Sequence, residues 1–106
     1  MARTPIHPGE ILADELQEIG LSAAQLARTL QVPPNRISQI IAEKRAITAD
    51  TALRLAQYFG TSPDFWMNLQ KAYELDRARQ AVGKAINQIP QRPFTSAAAT
   101  LASGRT

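Results

Sequence analysis

An all-α domain of five helices followed by a tail is the fold class this sequence predicts, and three observations predict it. Apolar residues recur at helical spacing from Ile11 onward. No stretch of useful length alternates apolar and polar residues as a half-buried strand would. The punctuation also fits helices: Ser22, Thr48 and Ser62 stand ahead of apolar segments, and Gly20, Pro33 and Gly60 stand behind them.

The first helix opens at Pro8, where a missing N–H costs nothing. Ile11, Leu12, Leu16 and Ile19 fall near one face, with Asp14, Glu15 and Glu18 mostly on another, and Gly20 stops it as a left-handed cap. The second begins at Ser22, which has capping-box spacing with Gln25, and faces Leu26, Ala27 and Leu30 inward. Pro33 and Pro34 end it and open a third, whose buried stripe is Ile37, Ile40 and Ile41. Thr48 caps a fourth with Ala52, Leu53, Leu55, Ala56 and Phe59 inside, closed by Gly60. Ser62 caps a fifth, with Pro63 at its first position and Asp64 against the helix dipole. Phe65, Trp66, Leu69 and Tyr73 supply its apolar face, and it can run to about Val82 or Ile86, with Gly83 as a weak point. Residues 1–86 are thus the expected domain. Residues 87–106 are expected to be a flexible tail, or an arm that orders on a partner, because from residue 89 on there is little to bury.

At 106 residues the chain has the length of one domain, large enough to be stable without staples. With no cysteine, disulfides and thiolate metal sites are excluded, and a reducing cytoplasm is the expected location. No apolar run can span a bilayer, and the first residues have no apolar core of the signal-peptide kind. The net charge is only +3, but it is unevenly placed. Glu10, Asp14, Glu15 and Glu18 make the first segment acidic. Arg28, Arg36, Lys44, Arg45 and Arg54 make the middle basic against Glu43 and Asp50, and after Arg79 there are bases and no acid. A basic middle suits a polyanion.

The segment from about residue 22 to 42 carries the functional signal. Two short helices can cross steeply over a tight turn if the first offers a small residue and the second packs back with aliphatic ones. Ala27, Val32, Ile37 and Ile40 have that spacing. This is a helix-turn-helix pattern, with Gln31 where glycine is common, so Gln31 is expected to adopt a left-handed conformation. The polar face of the third helix would then meet the DNA major groove. Asn35, Arg36, Ser38 and Gln39 are the candidate base readers, since arginine bridges guanine O6 and N7 and an amide pairs with the adenine edge. Lys44 and Arg45 are candidate phosphate contacts, and so is the start of the second helix near Gln25.

The stretch from His7 to about Arg79 resembles the antitoxin of HigB–HigA toxin–antitoxin modules, within the Xre/Cro-type helix-turn-helix proteins. The match lies in His7-Pro8-Gly9-Glu10-Ile11-Leu12, in Val32 to Ile41, in Lys44-Arg45-Ala46-Ile47-Thr48, in Asp50 to Ala56 and in Phe59 to Trp66. Ala42-Glu43 departs from it, because the family often has a polar residue and glycine before the Lys-Arg pair. The resemblance implies a lambda-repressor-like domain, a homodimer on a palindromic operator in double-stranded DNA, repression of its own operon and a HigB-type partner that cleaves mRNA. Alternative readings are a stand-alone Xre-type regulator without a toxin and a helical protein-interaction module.

An enzyme is not expected. His7, the only histidine, has no second His or Cys to build a zinc site, and Ser22, Ser38 and Ser62 have cap or surface roles with no base beside them. No metal and no cofactor is therefore expected. Leu69 and Tyr73 are the expected dimer contacts, as apolar surface beyond what closes the domain.

Overall fold

Helices α1 (Pro8–Ile19), α2 (Ala23–Leu30), α3 (Arg36–Ile41), α4 (Ala49–Phe59) and α5 (Pro63–Asn87) follow one another in the computed structural model, which describes residues 4–93. No strand occurs among the described residues, and most of the expected tail, from residue 94 on, lies outside them.

Side-chain caps start four of the five helices, all but α3. The His7 Nδ1 accepts the Gly9 N–H at 2.8 Å while Glu10 accepts the His7 N–H at 3.3 Å, a capping box with histidine in the hydroxyl position. Ser22 and Gln25 exchange the same pair of bonds at 3.1 and 2.8 Å, as the spacing predicts. Thr48 accepts from the Thr51 N–H and Ser62 from the Phe65 N–H.

The stops are equally local. Gly20 and Gly60 take positive φ, as expected of left-handed caps. Gln31 does so too, at φ 61°, and so does Glu43, at φ 62°. In both, two backbone bonds close a Schellman turn. Gln31 N–H reaches the Arg28 carbonyl and Val32 N–H the Ala27 carbonyl; Glu43 N–H reaches Ile40 and Lys44 N–H reaches Gln39. These bonds offset the roughly 1–2 kcal/mol that a left-handed residue with a Cβ costs.

Leu12, Leu26, Ala27, Ile37, Ile40, Ala52 and Leu55 are fully buried at the centre, with Trp66 closing the core from α5. Ala27, Ile37 and Ile40 pack as the spacing predicts, with Val32 against them. Three residues expected inside are not there. Ile19 is 46% exposed at the end of α1, Leu53 is 59% exposed and Phe65 is 44% exposed. Leu53 lies one residue from Ala52, about 100° around the helix from the stripe of Ala52, Leu55 and Ala56. Phe65 loses the same competition to Trp66, whose indole N–H donates to Thr61 Oγ1 at 3.0 Å; the Phe65 ring rests edge-on against the indole.

Two contacts seat α3 against the rest. A Cβ placed on Gly9 would collide with the backbone carbonyl of Ile40, so only glycine lets α1 approach the end of α3 this closely. Gln70 on α5 is buried; its Oε1 accepts the Ile47 N–H at 2.8 Å and its Nε2 donates to Glu74 at 2.8 Å. That bond ties the α3–α4 loop to α5.

His7 lies beside this junction, only 3% exposed and edge-on to the Tyr73 ring at 4.6 Å. Burial lowers its pKa below the ordinary 6.5, against the raising influence of Glu43 and Glu10. The cap needs an unprotonated Nδ1, so the folded state takes up its proton at lower pH than the unfolded chain does. The contribution is complete above the unfolded value and is lost as pH falls from there through the lowered folded value. Urea unfolding should therefore show a constant midpoint above about pH 7, and a decline below about pH 6.5 of at most ~1.4 kcal/mol per unit from this group. His7→Asn, which keeps an acceptor that does not titrate, should flatten the dependence above about pH 5.5, where carboxylates are still ionised.

Candidate nucleic-acid interface

Helix α3 is six residues long, too short to be stable alone, and its neighbours fix its orientation. Its inner face, Ile37 and Ile40, is buried without remainder. Its outer face carries Ser38, exposed, and Gln39, half-buried; Asn35 sits exposed at the N-cap with no side-chain cap bond. Ser38 Oγ donates to the Asn35 carbonyl at 3.1 Å, which shapes the first turn. Three polar side chains with amide and hydroxyl chemistry thus lie along the outer side of α3, from its N-cap to its fourth residue. Lys44 and Arg45 follow its end, both exposed, on the loop that Glu43 turns and Gln70 anchors.

Arg36 stands differently. Its Nη1 lies 3.5 Å from Asp50 Oδ2 and 3.3 Å from Thr51 Oγ1, and only 21% of the side chain is exposed. Its Nε is buried without a hydrogen-bond partner. The guanidinium is engaged with the start of α4 and leans across the interface instead of projecting from it. Gln25 is exposed, but its Oε1 is committed to the Ser22 N–H, leaving the amide nitrogen as the outward group.

Two residues of this site escaped the sequence reading. Arg54 donates from Nε to Asp50 at 3.1 Å and from Nη1 to the carbonyls of Leu30 at 2.8 Å and Gln31 at 3.3 Å. The i,i+4 spacing of Asp50 and Arg54 is visible in the sequence as a surface pair. The reach of Arg54 to the end of α2 is not, because nothing local encodes a contact across 24 residues.

The two expected dimer contacts are engaged within the chain. Leu69 packs on the core, and Tyr73 meets His7 edge-on and accepts a bond from Arg77, whose guanidinium lies 5.7 Å from its ring centre. The more exposed apolar side chains lie further along: Leu75, Val82, Ile86 and Ile89, 45–65% exposed. Among the described residues no group of acids and histidines could hold a metal ion, and no helix is long and apolar enough to cross a membrane.

Residues 12–66 match the helix-turn-helix family. Virulence-associated protein I of Dichelobacter nodosus is 57% identical over 76 residues, which is 71% of this chain and 70% of that protein. The solved structure of an addiction module antidote protein of a HigA family from Coxiella burnetii superposes with a TM-score of 0.81 at 52% identity, covering 87% of this chain and all of that one. The Pseudomonas aeruginosa antitoxin HigA, solved with the higBA promoter, superposes with a TM-score of 0.80 at 49% identity, covering 85% and 99%.

If Lys44 and Arg45 hold phosphates, each releases condensed counterions on binding. Lys44→Ala and Arg45→Ala should each weaken binding to every duplex alike and lower the slope of log affinity against log salt by about one. Titrations at several salt concentrations measure this; an unchanged slope in both variants returns the pair to the solvated surface.

Proposed function

We propose, from the premise that this chain belongs to the helix-turn-helix family and to its HigA-type antitoxins, that it is a sequence-specific operator-binding repressor that also neutralises a partner toxin. One observation carries the DNA reading: the outer face of α3 presents Asn35, Ser38 and Gln39 together, while its inner face is locked in the core beside exposed Lys44 and Arg45. The Pseudomonas relative solved with promoter DNA supports the same reading. Residues 1–86 serve as the DNA-binding domain and 87–106 as a tail. The chain works in the cytoplasm by binding alone, with no catalytic step. The toxin in this reading is an mRNA-cleaving protein of the HigB type, and the likeness to HigA antitoxins supports such a partner. A small basic toxin encoded beside the chain would be that partner; without one, the chain is a stand-alone regulator with the same DNA chemistry.

Within the interface, Gln39 and Asn35 read base edges, with Ser38 beside them, and Lys44 and Arg45 set the register on the backbone. Gln25, at the start of α2, is placed for a further phosphate. Arg36 stands beside them with its guanidinium engaged by Asp50 and Thr51.

Two half-sites require two copies. The apolar stripe of Leu75, Val82 and Ile86 runs along one side of the second half of α5, at offsets of seven and four residues, and Ile89 follows just past the end of the helix. A second copy covers it, with Leu69 and Tyr73 at the inner margin of the contact. Such a pairing buries the same patch on both subunits.

Two experiments test this. A duplex from the DNA immediately upstream of the chain's own coding sequence should bind much more tightly than random DNA. Gln39→Ala or Asn35→Ala should cost about 1–3 kcal/mol on that duplex and little on random DNA. Equal wild-type affinity for both duplexes at physiological salt would overturn the reading. In sedimentation without DNA the wild type should be a dimer at tens of micromolar. Val82→Glu should be a monomer with unchanged helical circular dichroism; a wild-type monomer would mean that the operator or the toxin drives pairing.

A further inference from the structure

Asp50 is an acid beside a surface that is to meet a polyanion. It stands in the first turn of α4 with 58% of its side chain exposed, and it borders one shallow depression with Arg36, Arg45, Thr48 and Thr51. A negative charge there weakens attraction to phosphate. An acid at a helix start gains from the dipole, but that gain requires no partner on another helix.

Asp50 has a partner on α3 as well as one on its own helix. Its Oδ2 accepts from Arg36 Nη1 at 3.5 Å and from Arg54 Nε at 3.1 Å. Arg54 continues to the carbonyls of Leu30 and Gln31, where α2 ends. Arg36 adds a bond to Thr51 Oγ1, and its buried Nε is enclosed by protein. Two guanidinium groups and one carboxylate therefore join the end of α2, the start of α3 and the start of α4. These are the elements whose relative placement sets how a helix-turn-helix meets a groove.

The geometry points to Asp50 as a positioning residue for operator specificity: it holds Arg36 and the first turn of α3 in the pose that reads DNA, while lowering affinity for DNA in general. This role rests on the DNA reading above. It makes two effects of opposite sign. Neutralising Asp50 removes a repulsion felt by every duplex. It also frees Arg36 to sample other rotamers, which weakens only the complex that needs one pose.

The test compares the wild type with Asp50→Asn and Asp50→Glu. Each is titrated with a duplex that the wild type enriches from a randomised pool, and with a scrambled duplex of equal length. Thermal melts confirm that each variant is folded at the assay temperature. Asp50→Asn should bind the scrambled duplex at least as tightly as the wild type does, and the enriched duplex roughly tenfold more weakly. Asp50→Glu, which keeps the charge, should recover part of the lost ratio. A second readout needs no DNA: the Arg36 Nε–H, buried in the wild type, should exchange slowly with solvent there and faster in Asp50→Asn. Equal factors on both duplexes would reduce Asp50 to a simple charge and overturn the role. An unchanged exchange rate would show that Asp50 does not hold Arg36, and would overturn the role as well. A wild type that enriches no duplex would overturn the DNA reading, and this role with it.

Discussion

The structure turns on the approach of the Gly9 backbone to the Ile40 carbonyl. No side chain separates α1 from the end of α3 at that point, and none could be accommodated there. The contact brings the His7 capping box, the Tyr73 ring and the loop held by Gln70 into one junction. A six-residue helix thereby acquires a rigid seat at its far end, while Arg36, Asp50 and Arg54 hold its near end. A surface that reads base edges must be set to within a fraction of an ångström before DNA arrives, because any residual freedom has to be frozen on binding. Both ends of α3 are constrained in the free protein, so less ordering is left for the complex.

The same helix is bracketed by two left-handed residues that are not glycine, Gln31 before it and Glu43 after it. Each spends backbone energy, and each is closed by a pair of Schellman bonds. A glycine at either site would relieve the strain, but it would also widen the conformations open to the unfolded chain. The side chains further narrow the paths by which the chain can enter and leave α3.

Much of this architecture could be read from residues that act locally. The capping box of Ser22 and Gln25, the left-handed Gln31 and the small Ala27 at the crossing all follow from short-range chemistry, and the structure contains each of them. The turn at Glu43 was not legible, because Ala42-Glu43 replaces the glycine that would have marked it. Leu53 and Phe65 were misplaced because neighbours on a helix are turned about 100° apart, the core face had no room for both members of these pairs, and composition does not say which one wins. In the interface the candidates on α3 were legible as types and spacings. The roles of Asp50, Arg54 and Gln70 were not, since each depends on partners 14 to 24 residues away.

Helix α5 has 25 residues, roughly 37 Å of rise, and its second half carries apolar side chains away from the domain that they do not help to fill. In a pair joined along that half, the helix becomes a ruler. The separation of the two reading heads is fixed by the register at which the stripes meet. A slip of one heptad moves one helix past the other by on the order of 10 Å, about three base pairs of duplex. Operator spacing would then be encoded far from any residue that touches DNA. Substitutions that change the register could redirect the protein to differently spaced sites while leaving every base contact intact.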